Sequence, residues 1–349
     1  MFGKKKNLVG LDIGSSSVKA VELKQSKAGY ELVSFGMEPL AQDIVVDGSI
    51  IDSNAVATAI ANMFDAQKIK TKSVATSLSG HSVIVKPHVN MPSMTDEELY
   101  DRIHAEAGQY IPFDIAEVNL SYQVVDANEA QLDVLLVAVK KDKILNHTNV
   151  LAQAGKTPTV VDIDAFAIQN AFEANYDLDP GQTVALLNVG ASLMNINILR
   201  DGVPLFTRDV SVGGNQYTDA LQKELDLSYE DAEKLKQGES LPGVNEEQKA
   251  SVLRSVSDIL ILEIQKTFDF FRATASGENI QRIYVAGGAC KVQGLMDLLR
   301  EEFSVPVEEM DPFRKVVINP GQHNEYMVRQ LAPRLAIAVG LALRSFDTP

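Results

Sequence analysis

One glycine-tipped motif occurs twice in this chain, and that duplication constrains the fold more than any other feature. Near the N-terminus the sequence runs Val9-Gly10-Leu11-Asp12-Ile13-Gly14-Ser15-Ser16-Ser17-Val18-Lys19-Ala20-Val21-Glu22-Leu23. Near the middle it runs Ala185-Leu186-Leu187-Asn188-Val189-Gly190-Ala191-Ser192-Leu193-Met194-Asn195-Ile196-Asn197-Ile198. Overlaying Asp12 on Asn188 aligns an apolar strand, an acid or its amide, a small glycine-led tip and a second apolar strand. β-Branched runs flanking a glycine turn read as a hairpin. A bare glycine tip offers closely spaced amide donors with no side chain in the way. Two such hairpins facing each other form a clamp for phosphates, so a nucleotide is the expected ligand.

The repeat extends beyond the motif. Strands are predicted over residues 7–13, 18–23 and 30–36, with a turn at Ala28-Gly29. Ser53 then caps a helix over 54–67 that carries Val56, Ile60, Met63 and Phe64 on one stripe. The second copy predicts strands over 183–189, 192–199 and 203–210, with Asp201-Gly202 as the last hairpin turn. An insertion over 83–155 holds strands at 83–89, 118–125 and 131–139 and a helix from Thr95, where Thr95 and Glu98 form a capping box. A helix over 144–154, ended by Gly155, completes it. A second insertion over 216–277 is helical and polar, with helices at 216–225, 228–237 and 245–275. A strand over 280–286, a helix over 294–303 and an apolar helix over 332–344 follow. The last is too short to span a bilayer.

Composition narrows the function. The 349 residues suit about two domains. A net charge of −15 argues against nucleic acid as a partner. The basic run Lys4, Lys5, Lys6 is local and reads as a solvated terminus. The single cysteine, Cys290, excludes an intrachain disulfide, fits a reducing compartment and reads as a small packing residue. No signal sequence or membrane-spanning run is present, so a cytoplasmic protein is expected, held at any membrane by a partner. Other chemistries fail on spacing. Ala154-Gly155-Lys156-Thr157 ends like a P-loop, but Val150 stands where the first glycine is required. Ser79 has Ser77 where a nucleophile elbow needs glycine. The five histidines share no metal-binding spacing.

The expected nucleotide site has four parts. Gly14, Ser15, Ser16 and Ser17 form the first tip, and Gly190, Ala191 and Ser192 the second. Asp12 stands at the metal side, where one acid can hold magnesium through water. Asn188 is its counterpart, and Lys19 can reach back to the terminal phosphates. Gly213, Gly214 and Asn215 open a helix whose amides could face an anion. Gly287, Gly288 and Ala289, with Gln293 beyond them, join a strand to a helix and offer bare backbone to a flat ring. Glu233 and Lys236 share one helical face, either as a surface pair or as a grip on ribose and adenine.

These four elements, in this order, resemble the superfamily of actin, the sugar kinases and the DnaK-type chaperones. Within it the chain is similar to the FtsA family and most similar to the PilM family of type IV pilus assembly. Residues 11–21 carry the resemblance, supported by Ala154-Gly155 through Pro158 and by Val161-Asp162-Ile163-Asp164-Ala165-Phe166-Ala167. The resemblance implies an α/β fold of the actin-like, ribonuclease H-like duplicated βββαβαβα class with an FtsA-like 1C insertion. Subdomain 1A would take residues 1–82, 156–182 and 331–349, and 1C residues 83–155. Subdomain 2A would take 183–215 and 278–330, and 2B residues 216–277. ATP and Mg²⁺ are the implied cofactors. Glu233 and Lys236 fall on the family's adenosine-side helix, Gly287, Gly288 and Ala289 on its adenosine motif, and Asp162 near the position of a water-orienting Glu or Gln. The wider superfamily has Asp where this chain has Asn188. An amide is a weaker magnesium ligand and no base, so weak hydrolysis at most is expected.

The implied partners are the cytoplasmic N-terminal tail of the inner-membrane protein PilN, the pilus motor ATPases and the platform protein PilC. A homo-oligomer or ring is a further possibility. The tail would lie between 1A and 1C, against a helical stripe of Leu99, Ile103 and Ala107, whose alternative role is subdomain core. An FtsA-like division filament and a small-molecule kinase are the competing readings. FtsA ends in an amphipathic membrane helix after a linker, whereas this sequence stops at Pro349.

Overall fold

Two five-stranded sheets of the same design form the body of the molecule. The computed structural model describes residues 7–27, 29–275 and 277–346. Lys4, Lys5 and Lys6, and Ala28 of the expected turn, lie outside the described residues. The first half begins with β1 (Val9–Ile13), β2 (Ser17–Ser26), β3 (Gly29–Pro39), a small hairpin of β4 (Val45–Val46) and β5 (Ser49–Ile50), α1 (Ser53–Ala66) and β6 (Ser73–Leu78). The first insertion adds β7 (Val83–Pro92), α2 (Asp96–Glu106), β8 (Val118–Ala127) and β9 (Gln131–Lys140). The chain returns through α3 (Lys141–Gln153), β10 (Thr157–Ile163) and α4 (Asp164–Asn175). The second half has β11 (Thr183–Val189), β12 (Met194–Arg200), β13 (Val203–Val210), α5 (Gly214–Leu225), α6 (Tyr229–Lys236) and α7 (Glu246–Thr274). It closes with β14 (Arg282–Ala286), α8 (Leu295–Glu302), β15 (Val307–Glu309), α9 (Glu325–Leu331) and α10 (Ala336–Leu343).

The sheet orders are β10-β6-β1-β2-β3 and β13-β12-β11-β14-β15. In each, a central strand pairs antiparallel with its hairpin partner and parallel with the strand on its other side. Between the sheets lie α4 and α10, whose apolar residues share one core with Val21, Leu23, Val184 and Leu186. α10 is buried all round, as a helix apolar on every face must be. It fits because two glycines permit contact. A Cβ on Gly10 would lie 2.0 Å from the Ala338 carbonyl oxygen, and one on Gly340 only 1.7 Å from that of Ala167.

α1 buries the expected stripe of Val56, Ile60, Met63 and Phe64. Its cap is Asp52, one residue before the expected Ser53, because the Asp52 carboxylate accepts from the Ala55 N–H at 3.0 Å. The capping box of α2 forms, with Thr95 and Glu98 each accepting a backbone N–H from the other. Two expectations for the first insertion are corrected. Leu99, Ile103 and Ala107 are each 1% exposed, and Leu99 and Ile103 pack with Val134 and Leu136 of the insertion's own sheet. An amphipathic helix on a three-stranded sheet must bury that stripe to be stable, so it is not a groove wall. The insertion also ends near Lys140 rather than at 155. Val150 and Leu151 of α3 belong to the core built by α1 and the first sheet. In the second half, α5 and α7 bury Tyr217, Leu260 and Ile264 against Leu187 and Ile196 of the second sheet. Among the described residues no helix is long and apolar enough to cross a membrane.

Candidate functional site

The two tips meet. The Ser15 and Ser192 hydroxyls lie 2.5 Å apart, although they are on opposite halves of the molecule. Their hairpins are equivalent: Asp12 is opposite Lys19 across β1 and β2, and Asn188 is opposite Asn195 across β11 and β12. Behind the tips lies a cleft of about 480 Å³. It is lined by both tips, by Asp12, Lys19 and Asn188, and by Gly214, Glu233, Lys236, Gly287, Gly288 and Ala289.

Two ion pairs furnish the cleft. Lys19 Nζ lies 2.9 Å from Asp12 Oδ2, and a Cβ on Gly14 would lie 2.9 Å from the same ammonium. The ammonium is therefore beside the bare first tip, as the hairpin register requires. Lys236 pairs with Glu233, and Thr218 bonds to both. Burial lowers the Lys236 pKa, opposed by the Glu233 charge. Glu233 and Lys236 thus face the cleft and are not a solvated surface pair. Lys291, itself paired with Glu309 at 2.6 Å, and Arg334 add two cations to the same wall. The cleft is richer in positive charge than this acidic chain as a whole.

The third glycine element has another task. The Gly214 and Asn215 N–H groups donate to the Gly190 and Ala191 carbonyls at 2.9 and 2.8 Å, so they hold the second tip instead of facing an anion. Gly213 allows that approach, because its Cβ would lie 2.6 Å from both carbonyl oxygens. Gly214 lines the cleft; Gly213 and Asn215 do not. In the fourth element Gly287 adopts φ +92°, and a Cβ there would meet the Val189 carbonyl oxygen at 2.3 Å. Its N–H donates to Pro333 at 2.8 Å. Gln293 is exposed and outside the cleft lining. Cys290 is buried, with its thiol pushed up to about 12 by burial, as an inert packing residue should be.

Asp162 is not in the cleft. It pairs with Arg344 at 3.4 Å, and its other oxygen accepts the Ile163 N–H. The strand ends at Ile163, and Asp164, the first residue of α4, lines the cleft instead. Burial and then the Asp12 charge push its pKa up to about 7, against hydrogen bonds from Ser77 and Ser79. Ser77 Oγ donates to Asp164 at 2.5 Å. Asn195 is a second residue the motif reading missed, although its position opposite Asn188 follows from the hairpin register. Its Oδ1 accepts from Asn188 Nδ2 and its Nδ2 donates to Asp209, both at 2.8 Å. Tyr229, Gln237, Lys291 and Arg334 also line the cleft and carried no local signal.

Among the described residues no cluster of three His, Cys, Asp or Glu side chains could form a protein-only metal cage. One acid beside a phosphate tip is nonetheless the usual donor set for magnesium, which keeps several waters and takes oxygens from phosphates. The residues present fit a magnesium nucleotide. They offer amide tips and cations for phosphate, a single acid for the metal, and a double-glycine floor.

Comparison with known proteins is consistent across nearly the whole chain. The family model described as type IV pilus assembly protein PilM matches residues 10–346. The solved PilM–PilN type IV pilus biogenesis complex contains a chain 26% identical to this one, with a TM-score of 0.88, covering 98% of this chain and 99% of that one. The cell division protein FtsA of Streptococcus pneumoniae serotype 2 is 23% identical over 93% of this chain and 80% of its own length. The ethanolamine utilization protein EutJ of Carboxydothermus hydrogenoformans shares the fold, at 15% identity and a TM-score of 0.54 over 96% of this chain and 89% of its own. The fold is actin-like.

Proposed function

Since this chain belongs to the PilM family of type IV pilus assembly proteins, we propose that it is the ATP-loaded, actin-like component of that machinery and that it holds the cytoplasmic N-terminal tail of PilN. The observation that carries the nucleotide part is the contact of Ser15 with Ser192 over a cleft lined by both tips. The partner part is supported by the likeness to the chain in the PilM–PilN complex over almost its whole length. The protein's place at the inner membrane would then come from that partner. The tail would bind between the first half and the first insertion, on residues other than the buried α2 stripe.

In this reading the tip amides that follow Gly14 and Gly190, whose own N–H groups close the hairpins to Ser17 and Leu193, hold the phosphates, with Lys19 beside the first. Asp12 takes magnesium through water, and the metal, when bound, neutralises phosphate charge. Glu233, Lys236 and the Gly287–Gly288–Ala289 floor take the adenosine. Asp164 replaces Asp162 as the acid able to orient a water, since it alone of the two lies in the cleft. Asn188 is tied to Asn195 and carries no charge, so it is a poor base and a weak metal ligand, and turnover is slow. A calorimetric titration of a synthetic PilN-type tail into the protein with MgATP present tests the reading. Saturable one-to-one binding is expected. No heat of binding, with ATP bound normally, would remove the partner assignment and leave the nucleotide site standing.

A further inference from the structure

Among the described residues, two sheet edges without a strand partner face each other across a second cavity. β7 is an edge of the insertion's sheet, ordered β7-β9-β8, and β13 is an edge of the second half's sheet. Between them lies a cavity of about 250 Å³ lined by residues 83–86 on one side and 207–209 on the other. Cα atoms of the two strands approach within 8 Å. Hydrogen-bonded neighbouring strands sit about 5 Å apart, so the edges are within about 3 Å of pairing distance.

The backbone groups point the right way. In an antiparallel ladder alternate residues bond to the partner strand and the others face away. The Lys140 N–H donates to Ser82 at 3.1 Å, which turns Ser82 and Ile84 toward β9 and leaves Val83 and Val85 facing outward, with the Val83 N–H taken by the Gly80 carbonyl at 3.0 Å and its carbonyl open. On the other side the Gly190 N–H donates to Leu193 at 2.9 Å. That commits Asn195 and Asn197 to β11, and hence Ile196 and Ile198 to Arg208 and Phe206 of β13. Thr207 and Asp209 therefore face outward, toward Val83 and Val85.

The nucleotide cleft touches this gap at one end. Asp164 lines both cavities. Asn188, in the cleft, bonds to Asn195, which bonds to Asp209. Asp209 Oδ2 then accepts the Gly80 N–H at 2.6 Å, on the segment that leads from β6 into β7. Leu193 of the second tip packs beside Gly80, where an added Cβ would lie 3.6 Å from its Cδ1. Both contacts join the second phosphate hairpin to the root of the first insertion.

We propose that β7 and β13 are a seam that closes when nucleotide fills the cleft, joining the insertion's sheet to the second half's sheet and fixing the insertion's position. The proposal rests on the nucleotide reading above. Residue-resolved hydrogen exchange on the full chain, with and without a non-hydrolysable MgATP analogue, tests it. The Val85, Thr207 and Asp209 amides should slow at least about tenfold with nucleotide, alongside amides of the two tips. Val85→Pro removes one seam donor and no bond to β9, as an edge position allows, and its ring fills the space a β13 backbone would need to approach, so pairing of the whole seam is blocked. In that variant the tips should still slow, while Thr207 and Asp209 lose most of their added protection. Slowing at the tips with no change at the seam would overturn the seam and keep the nucleotide site. Seam protection undiminished in Val85→Pro would equally overturn it, since bulk tightening would then be the cause. No slowing anywhere would remove the nucleotide reading and the seam with it.

Discussion

At the scale of residues, burial decides chemistry. His147 in α3 is 3% exposed, and burial, helped by the Lys143 charge, lowers its pKa from 6.5 to about 4. The unfolded chain binds a proton below pH 6.5 that the folded chain refuses. Its contribution is therefore fully present above pH 6.5 and falls away as pH drops toward 4, by about 3 kcal/mol in all. Denaturant unfolding of His147→Gln, which stays neutral, should show a shallower fall over that window than the native chain. Parallel curves would refute a neutral buried histidine. The same principle separates what was readable in the site from what was not. Gly14, Ser15, Lys19, Gly190 and Ser192 sit on hairpins whose register the repeat dictates, so their convergence was legible. Asp164 was not, because it depends on where β10 stops and α4 starts. The amides of Gly214 and Asn215 read in sequence as an anion site, because sequence does not show the Gly190 and Ala191 carbonyls in front of them.

At the scale of elements, close approach of backbones seats α10 in the core between the two sheets. α10 sits against β1 and α4 through Gly10 and Gly340, with no room for a methyl group at either. Gly340→Ala should cost about 3 kcal/mol or more, at or above the upper end of the usual overpacking range. Chemical denaturation measures it, and a loss below about 1 kcal/mol would show that the helix can move aside cheaply. The α2 helix shows the limit of pattern reading. Its Thr95–Glu98 cap and apolar stripe are plain in the sequence, but a stripe alone does not say whether a partner or the helix's own sheet covers it. Here Val134 and Leu136 do. α3 lies outside the insertion that sequence expects to hold it for a similar reason: its amphipathic pattern is clear, and only tertiary packing assigns Val150 and Leu151 to the core with α1.

At the scale of the molecule, the duplication visible in residues 9–23 and 185–198 becomes two matched sheets around α4 and α10, with an insertion in each half. The central claim is that the two facing tips clamp a magnesium nucleotide. Equilibrium titration of MgATP into the native chain and into Asp12→Ala tests it most directly. Saturable one-to-one binding to the native chain is expected, with an affinity at least roughly tenfold lower in Asp12→Ala, a loss of about 1.4 kcal/mol. That difference should vanish when magnesium is removed by a chelator. No binding to the native chain, or equal magnesium-dependent binding by both proteins, would contradict it.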